Sequence, residues 1–93
     1  MQALKIIEIN NTIFKLKDKA NKKTVKLMIE FYNVTPKVGD TLVLPKVLLD
    51  IKNEQFAQPY AFEPIKDNEL VDETDVVGLI QDENKILLKR IYG

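Results

Sequence analysis

The stretch Thr12-Ile13-Phe14-Lys15-Leu16-Lys17-Asp18-Lys19-Ala20-Asn21-Lys22-Lys23-Thr24-Val25-Lys26-Leu27-Met28-Ile29-Glu30-Phe31-Tyr32 decides the fold. After Thr24, Val25, Leu27, Ile29 and Phe31 take one parity and Lys26, Met28, Glu30 and Tyr32 the other. Before it, Thr12, Phe14 and Leu16 separate in the same way from Ile13, Lys15 and Lys17. A period of two is the mark of a half-buried strand, because successive side chains leave a strand on opposite faces. The intervening Asp18-Lys19-Ala20-Asn21 carries turn chemistry: Asp bonds its own backbone and Asn tolerates the left-handed conformation. The stretch therefore predicts a hairpin. With Lys19-Ala20 at its centre, Phe14 faces Val25, Thr12 faces Leu27, Ile13 faces Lys26 and Lys17 faces Lys22. A slip of one residue would put Phe14 on the face of Thr24 and Lys26 and split the apolar set.

On the N-terminal side, Leu4 to Ile9 is apolar and rich in β-branched residues, and Asn10-Asn11 interrupts it with a bend or bulge. On the C-terminal side, Asn33 to Asp40 is a turn cluster in which Pro36 fixes φ and Gly39 permits re-entry into a strand over Thr41 to Leu44. Pro45 confines that strand to an edge or an end. Val47 to Asn53 fits either a continued strand or two helical turns. Residues 54–75 read as a long connection containing Pro59 and Pro64, with a short helix near Asn68 to Glu73. Its aromatics Phe56, Tyr60 and Phe62 fit a plug for an open barrel end, ahead of a recognition ledge. Val76 to Gln81 and Lys85 to Tyr92 form a second hairpin around Asp82-Glu83-Asn84, with a bend or bulge at Gly78.

Two hairpins and a lone strand, with apolar residues on both faces of the C-terminal strands, call for a sheet that closes on itself, since closure buries both and removes sticky edges. The expected fold is all-β: one domain over residues 1–93, a small five- to six-stranded barrel, closed or partly open, with a long connection. The order strand, strand, strand, long connection, strand, strand resembles the OB-fold, with an SH3-like barrel second. The OB resemblance implies that the connection caps the barrel and that the loop between the first two strands flanks a ligand groove.

Composition excludes much chemistry. The 93 residues include no Cys, no His and no Trp, and Ser is absent as well. Disulfides, the usual zinc sites, thiol nucleophiles, imidazole bases and serine triads all lose their residues. Lys, Tyr, Thr and carboxylates remain, so the expectation is a protein that is not an enzyme, with no cofactor and no metal. Glu69, Asp72, Glu73 and Asp75 lack the glycine that turns a calcium loop, and read as a solvated connection. No apolar run approaches membrane-spanning length, and Met1 to Lys5 has no basic lead into an apolar segment, which predicts a soluble, cytoplasmic protein with no membrane partner.

The 14 basic and 14 acidic residues cancel in number but not in position. Residues 1–46 hold nine lysines against four acids, a surplus of five; residues 47–93 hold five bases against ten acids, a deficit of five. Six of those lysines crowd residues 15–26 around a single acid, Asp18. Such a hairpin suits single-stranded nucleic acid or another polyanion, with Lys15, Lys17, Lys22 and Lys26 as phosphate contacts. Tyr32 shares a face with Lys26, and Tyr92 shares one with Arg90, which makes the two tyrosines the stacking candidates. A solvated tip protecting an edge explains the same lysines, and the single arginine is unlike the usual basic profile of nucleic-acid binders. The alternative function is a protein-interaction module, docking to a partner or forming a homo-oligomer through its two oppositely charged halves.

Overall fold

A computed structural model describes residues 1–45 and 59–92, and the side chains of Glu73 and Tyr92 fall outside that description. The expectations for Val47 to Asn53 and for Phe56 lie outside the described residues. The hairpin comes first. Strands β2 (Ile13–Asp18) and β3 (Thr24–Phe31) bury Phe14, Leu16, Leu27 and Ile29 and expose Lys17, Thr24 and Lys26. Parity is as predicted, but the register is displaced by two residues. Phe14 pairs with Leu27, Lys15 with Lys26, Leu16 with Val25 and Lys17 with Thr24, so Lys17 does not face Lys22. The turn explains the shift. Lys22 N–H donates to the Asp18 carbonyl and Asp18 N–H to the Lys23 carbonyl, both at 2.8 Å, which makes Lys19–Lys22 a four-residue loop rather than a two-residue one. Lys22, at φ 61°, takes the left-handed position expected of Asn21, whose side chain instead accepts the Lys23 N–H at 2.9 Å. An even shift leaves every side chain on its face, which is why alternation alone could not detect it.

Strand β1 (Gln2–Asn10) pairs with β2 through Leu4–Asp18, Lys5–Lys17 and Ile6–Leu16. Its register then slips, leaving Ile7 as the extra residue before Glu8 pairs with Lys15 and Ile9 with Phe14. The bulge thus falls at Ile7, and Asn11, at φ 57°, carries the following turn. Strand β4 (Thr41–Leu44) lies on the other side of β1. The segment leading to it is pinned by Asp40, which is 8% exposed. The Asp40 carboxylate accepts Lys37 N–H at 2.8 Å and Gln81 Nε2 at 2.9 Å, and its carbonyl accepts Ile6 N–H at 2.8 Å.

Strand β5 (Tyr60–Pro64) occupies part of the expected connection. Prolines bracket it, Pro59 before and Pro64 as its last residue, where a missing N–H costs the ladder least. Phe62 has no exposed surface and is a wall residue facing the core, neither ledge nor plug. The expected helix near Asn68 to Glu73 is replaced by a single 3-10 turn at Glu73–Asp75, because Asn68 turns left-handed at φ 64°. Strands β6 (Val76–Gln81) and β7 (Asn84–Tyr92) form the predicted C-terminal hairpin about Asp82-Glu83, both at positive φ, as a two-residue turn between right-twisted strands demands. Gly78 stays in register with Val43 and Leu87, so it marks no bulge. A Cβ there would stand 2.8 Å from Cε of Lys85, whose stem lies across the glycine.

Among the described residues seven strands close into one ring, in the order β1-β2-β3-β5-β7-β6-β4, rather than five or six. An odd ring cannot reverse direction at every neighbour, so at least one pair must run parallel; here it is β3 with β5, and the others are antiparallel. Leu4, Ile6, Phe14, Leu16, Leu42, Leu44, Val77, Leu79 and Leu88 join Phe62 in the interior. No helix among the described residues is long and apolar enough to cross a membrane.

Candidate functional site

Cross-strand pairing on the outer surface of β1, β2 and β3 assembles the lysines. One row reads Lys5, Lys17, Thr24 and the next Glu8, Lys15, Lys26. Two like-charge pairs, Lys5 with Lys17 and Lys15 with Lys26, therefore stand directly opposed, an arrangement that costs folded-state stability. Lys19, Lys22 and Lys23 extend the face at the exposed tip. Asp18 forms no ion pair with them; its carboxylate accepts the Ala20 N–H at 2.8 Å as part of the turn. No lysine of this face or tip forms an ion pair with a described residue.

Several described acids of the other half are engaged elsewhere. Lys89, on β7, binds the carboxylates of Glu63, 3.3 Å away, and of Glu69. The hydrogen bond from Lys89, helped by the Lys66 N–H, holds Glu69 below the usual carboxylate range, and the same bond from Glu69 holds Lys89 above the usual ammonium range. Arg90 Nη2 donates to Asp75 at 2.8 Å. Asp72 accepts both the N–H and the hydroxyl of Thr74, which lowers its pKa. Glu69 and Asp75 thus serve the C-terminal strand β7, and Asp72 its own turn.

Of the residues picked out in the sequence, Lys15, Lys17, Lys22 and Lys26 share one hairpin. Tyr32 lies beyond the far end of β3, six residues from Lys26 or roughly 20 Å along a strand, and its hydroxyl donates to Glu30 at 3.3 Å. Arg90 is engaged by Asp75 and lies on β7, away from the lysines. The Tyr92 side chain lies outside the described residues. Lys5 is the member that sequence reading missed; its signal was present in the apolar run of β1, which pairs back onto β2 through the turn at Asn11-Thr12.

At the end of the barrel opposite the lysine tip, a cleft of about 370 Å³ opens between the β1–β2 turn and residues 33–36. Ile9, Phe14, Phe31 and Val34 line it, with Tyr32 on its rim. Phe14 and Phe31 meet edge to face with centroids 5.3 Å apart, and Phe31 continues to Phe62 at 6.0 Å. Tyr60 adjoins Phe62 at 6.4 Å, and burial raises its phenol pKa against the opposing field of Arg90. No protein-family model matches the chain, and neither a curated protein nor a solved structure is found to be similar to it.

Proposed function

We propose that this chain is a non-catalytic binding module that holds a polyanion, single-stranded nucleic acid first, on the outer face of β1, β2 and β3. The observation that carries the reading is the double opposition of Lys5 to Lys17 and Lys15 to Lys26, in which Glu8 is the one acid in either row, opposite Lys15 on β1, and no lysine of the two rows is ion-paired to a described residue. A cost of that kind persists where an outside partner removes it. Edge protection does not explain Lys15 and Lys17, because β2 has a strand on each side and no edge to guard. An OB-like rather than SH3-like barrel, a cytoplasmic location and the absence of a membrane partner belong to the same proposal.

Fluorescence anisotropy with a labelled oligonucleotide tests it. Binding should weaken linearly in log–log coordinates with salt, with a slope of roughly −3 if about four phosphates are met on a single strand. The pair Lys15→Glu with Lys17→Glu should abolish it. Binding at low salt no stronger than that of an inert acidic protein would end the proposal.

A second reading, association through protein surfaces, draws on Leu70, 98% exposed between Asp67 and Asp72 in the β5–β6 connection. Light scattering across concentration and a pull-down separate the two: a strict monomer that recovers no protein partner and binds oligonucleotide leaves only the first.

A further inference from the structure

Resting on the polyanion reading above, we propose that the cleft at the barrel mouth receives a base of the same single strand whose phosphates the lysine face holds. The cleft's volume of about 370 Å³ lies within the usual range for small-ligand sites. Its walls are apolar and partly aromatic, with the Phe14 and Phe31 rings set edge to face beneath it, which suits the faces of a planar ring. Its rim is polar in the mixed sense that a base edge requires. The side chains of Asn11, Thr12 and Thr35 line it, make no hydrogen bond to a described residue, and between them offer both donors and acceptors. No cation lines the cleft, and Glu30 does, so a phosphate is repelled there and must lie elsewhere.

The fold places that elsewhere within reach. Strand β2 carries Phe14 inward to the cleft and Lys15 outward, one residue apart, and strand β3 carries Lys26 near one end and runs into the rim residue Tyr32 at the other. Tyr32, 41% exposed, presents a ring for stacking where the strand would leave the cleft. The roughly 20 Å from Lys26 to Tyr32 suits a segment of about four nucleotides, the lower end of the footprints seen for barrels that track single strands. The two halves of the surface thus divide the ligand: the lysines hold charge and the cleft holds a base.

The experiment compares three probes by anisotropy or competition: an eight-residue deoxythymidylate oligonucleotide, an abasic oligonucleotide of the same length and charge, and heparin. The expected result is roughly ten-fold tighter binding of the base-bearing strand than of the abasic one, and loss of that advantage in Tyr32→Ala and Thr12→Val with abasic and heparin binding unchanged. The unchanged abasic binding also shows that the variants fold. In amide spectra, thymidine monophosphate should shift Asn11, Thr12 and Thr35. Equal affinity for abasic and base-bearing strands, or a Tyr32→Ala loss shared by both, overturns the cleft proposal and leaves the polyanion reading standing. Failure of all three probes to bind removes both.

Discussion

Lys15 and Lys26 face each other across a strand pair in the folded protein, whereas in the unfolded chain eleven positions of flexible backbone let them drift apart. Their repulsion therefore acts mainly on the native state. Lys26→Glu turns that repulsion into attraction, and the domain should gain a few tenths of a kcal/mol in urea unfolding, with the midpoint raised at low salt and the gain fading as salt screens it. The same substitution should weaken oligonucleotide binding several-fold at low salt. Opposite signs on stability and binding mark a surface kept for a partner; a stability gain with binding untouched would make these lysines a solvated face and nothing more. At this scale the sequence was readable in one respect and opaque in another. Parity told which side chains of the hairpin face water, because an inward lysine on this strand would be buried without a counter-charge. Which lysine opposes which depended on a left-handed Lys22, and a lysine in that conformation is something composition does not announce.

At the scale of elements, the connection from Ile65 to Asp75 is tied across β7 by Lys89, which reaches Glu63 on β5 and Glu69 in the connection, while Arg90 reaches Asp75 at its end. Because the folded pKa of Glu69 lies below its unfolded value, the tie contributes fully above the unfolded value and is lost as pH falls through the lowered folded one. Because that of Lys89 is raised, its contribution is present below the unfolded value and is lost as pH rises through the raised one. Attachment should therefore hold across neutral pH and fail in acid. Amide shifts of Glu69 and Leu70 followed from pH 7 to about pH 2.5 should move together toward random-coil positions below the ordinary carboxylate range, and Lys89→Met should show the detached shifts at pH 7. Persistence of the native shifts in acid would mean that backbone contacts, such as Ile65 N–H to the Leu87 carbonyl at 3.1 Å, suffice without the charges. The element before this connection was the one least visible in the sequence. Residues 59–64 begin and end on proline, with aromatics at Tyr60 and Phe62, and the strand character of Tyr60–Pro64 comes from neighbours, β3 and β7, far away in the chain. The C-terminal hairpin needed no such help, since its turn and both strands are adjacent in sequence.

For the whole molecule, the ring has seven members and one parallel junction, so closure depends on β5 reaching β3 across only three described pairs, Ile29–Tyr60, Glu30–Ala61 and Phe31–Phe62. Parallel pairing is slightly weaker per residue than antiparallel, and side chains must make up the difference. Phe62 is the residue placed to do so: fully enclosed, it touches the Phe31 ring on β3 and Tyr60 beside it, and pairs with Arg90 on β7. Truncating an enclosed phenylalanine typically removes about 3–5 kcal/mol, out of a total of roughly 5–15 kcal/mol for a domain of this kind. Phe62→Ala should thus bring the protein close to unfolding at 37 °C, with the urea midpoint lowered sharply. Leu87→Ala is the control: that side chain stands on the outer surface of β7, 49% exposed, and its truncation should shift the midpoint little. The lysine hairpin depends on the same junction, because β3 is held on one side by β2 and on the other by β5. A ring opened at Phe62 should therefore lose oligonucleotide binding together with its cooperative transition, whereas binding that outlives the transition would show that the hairpin alone forms the surface.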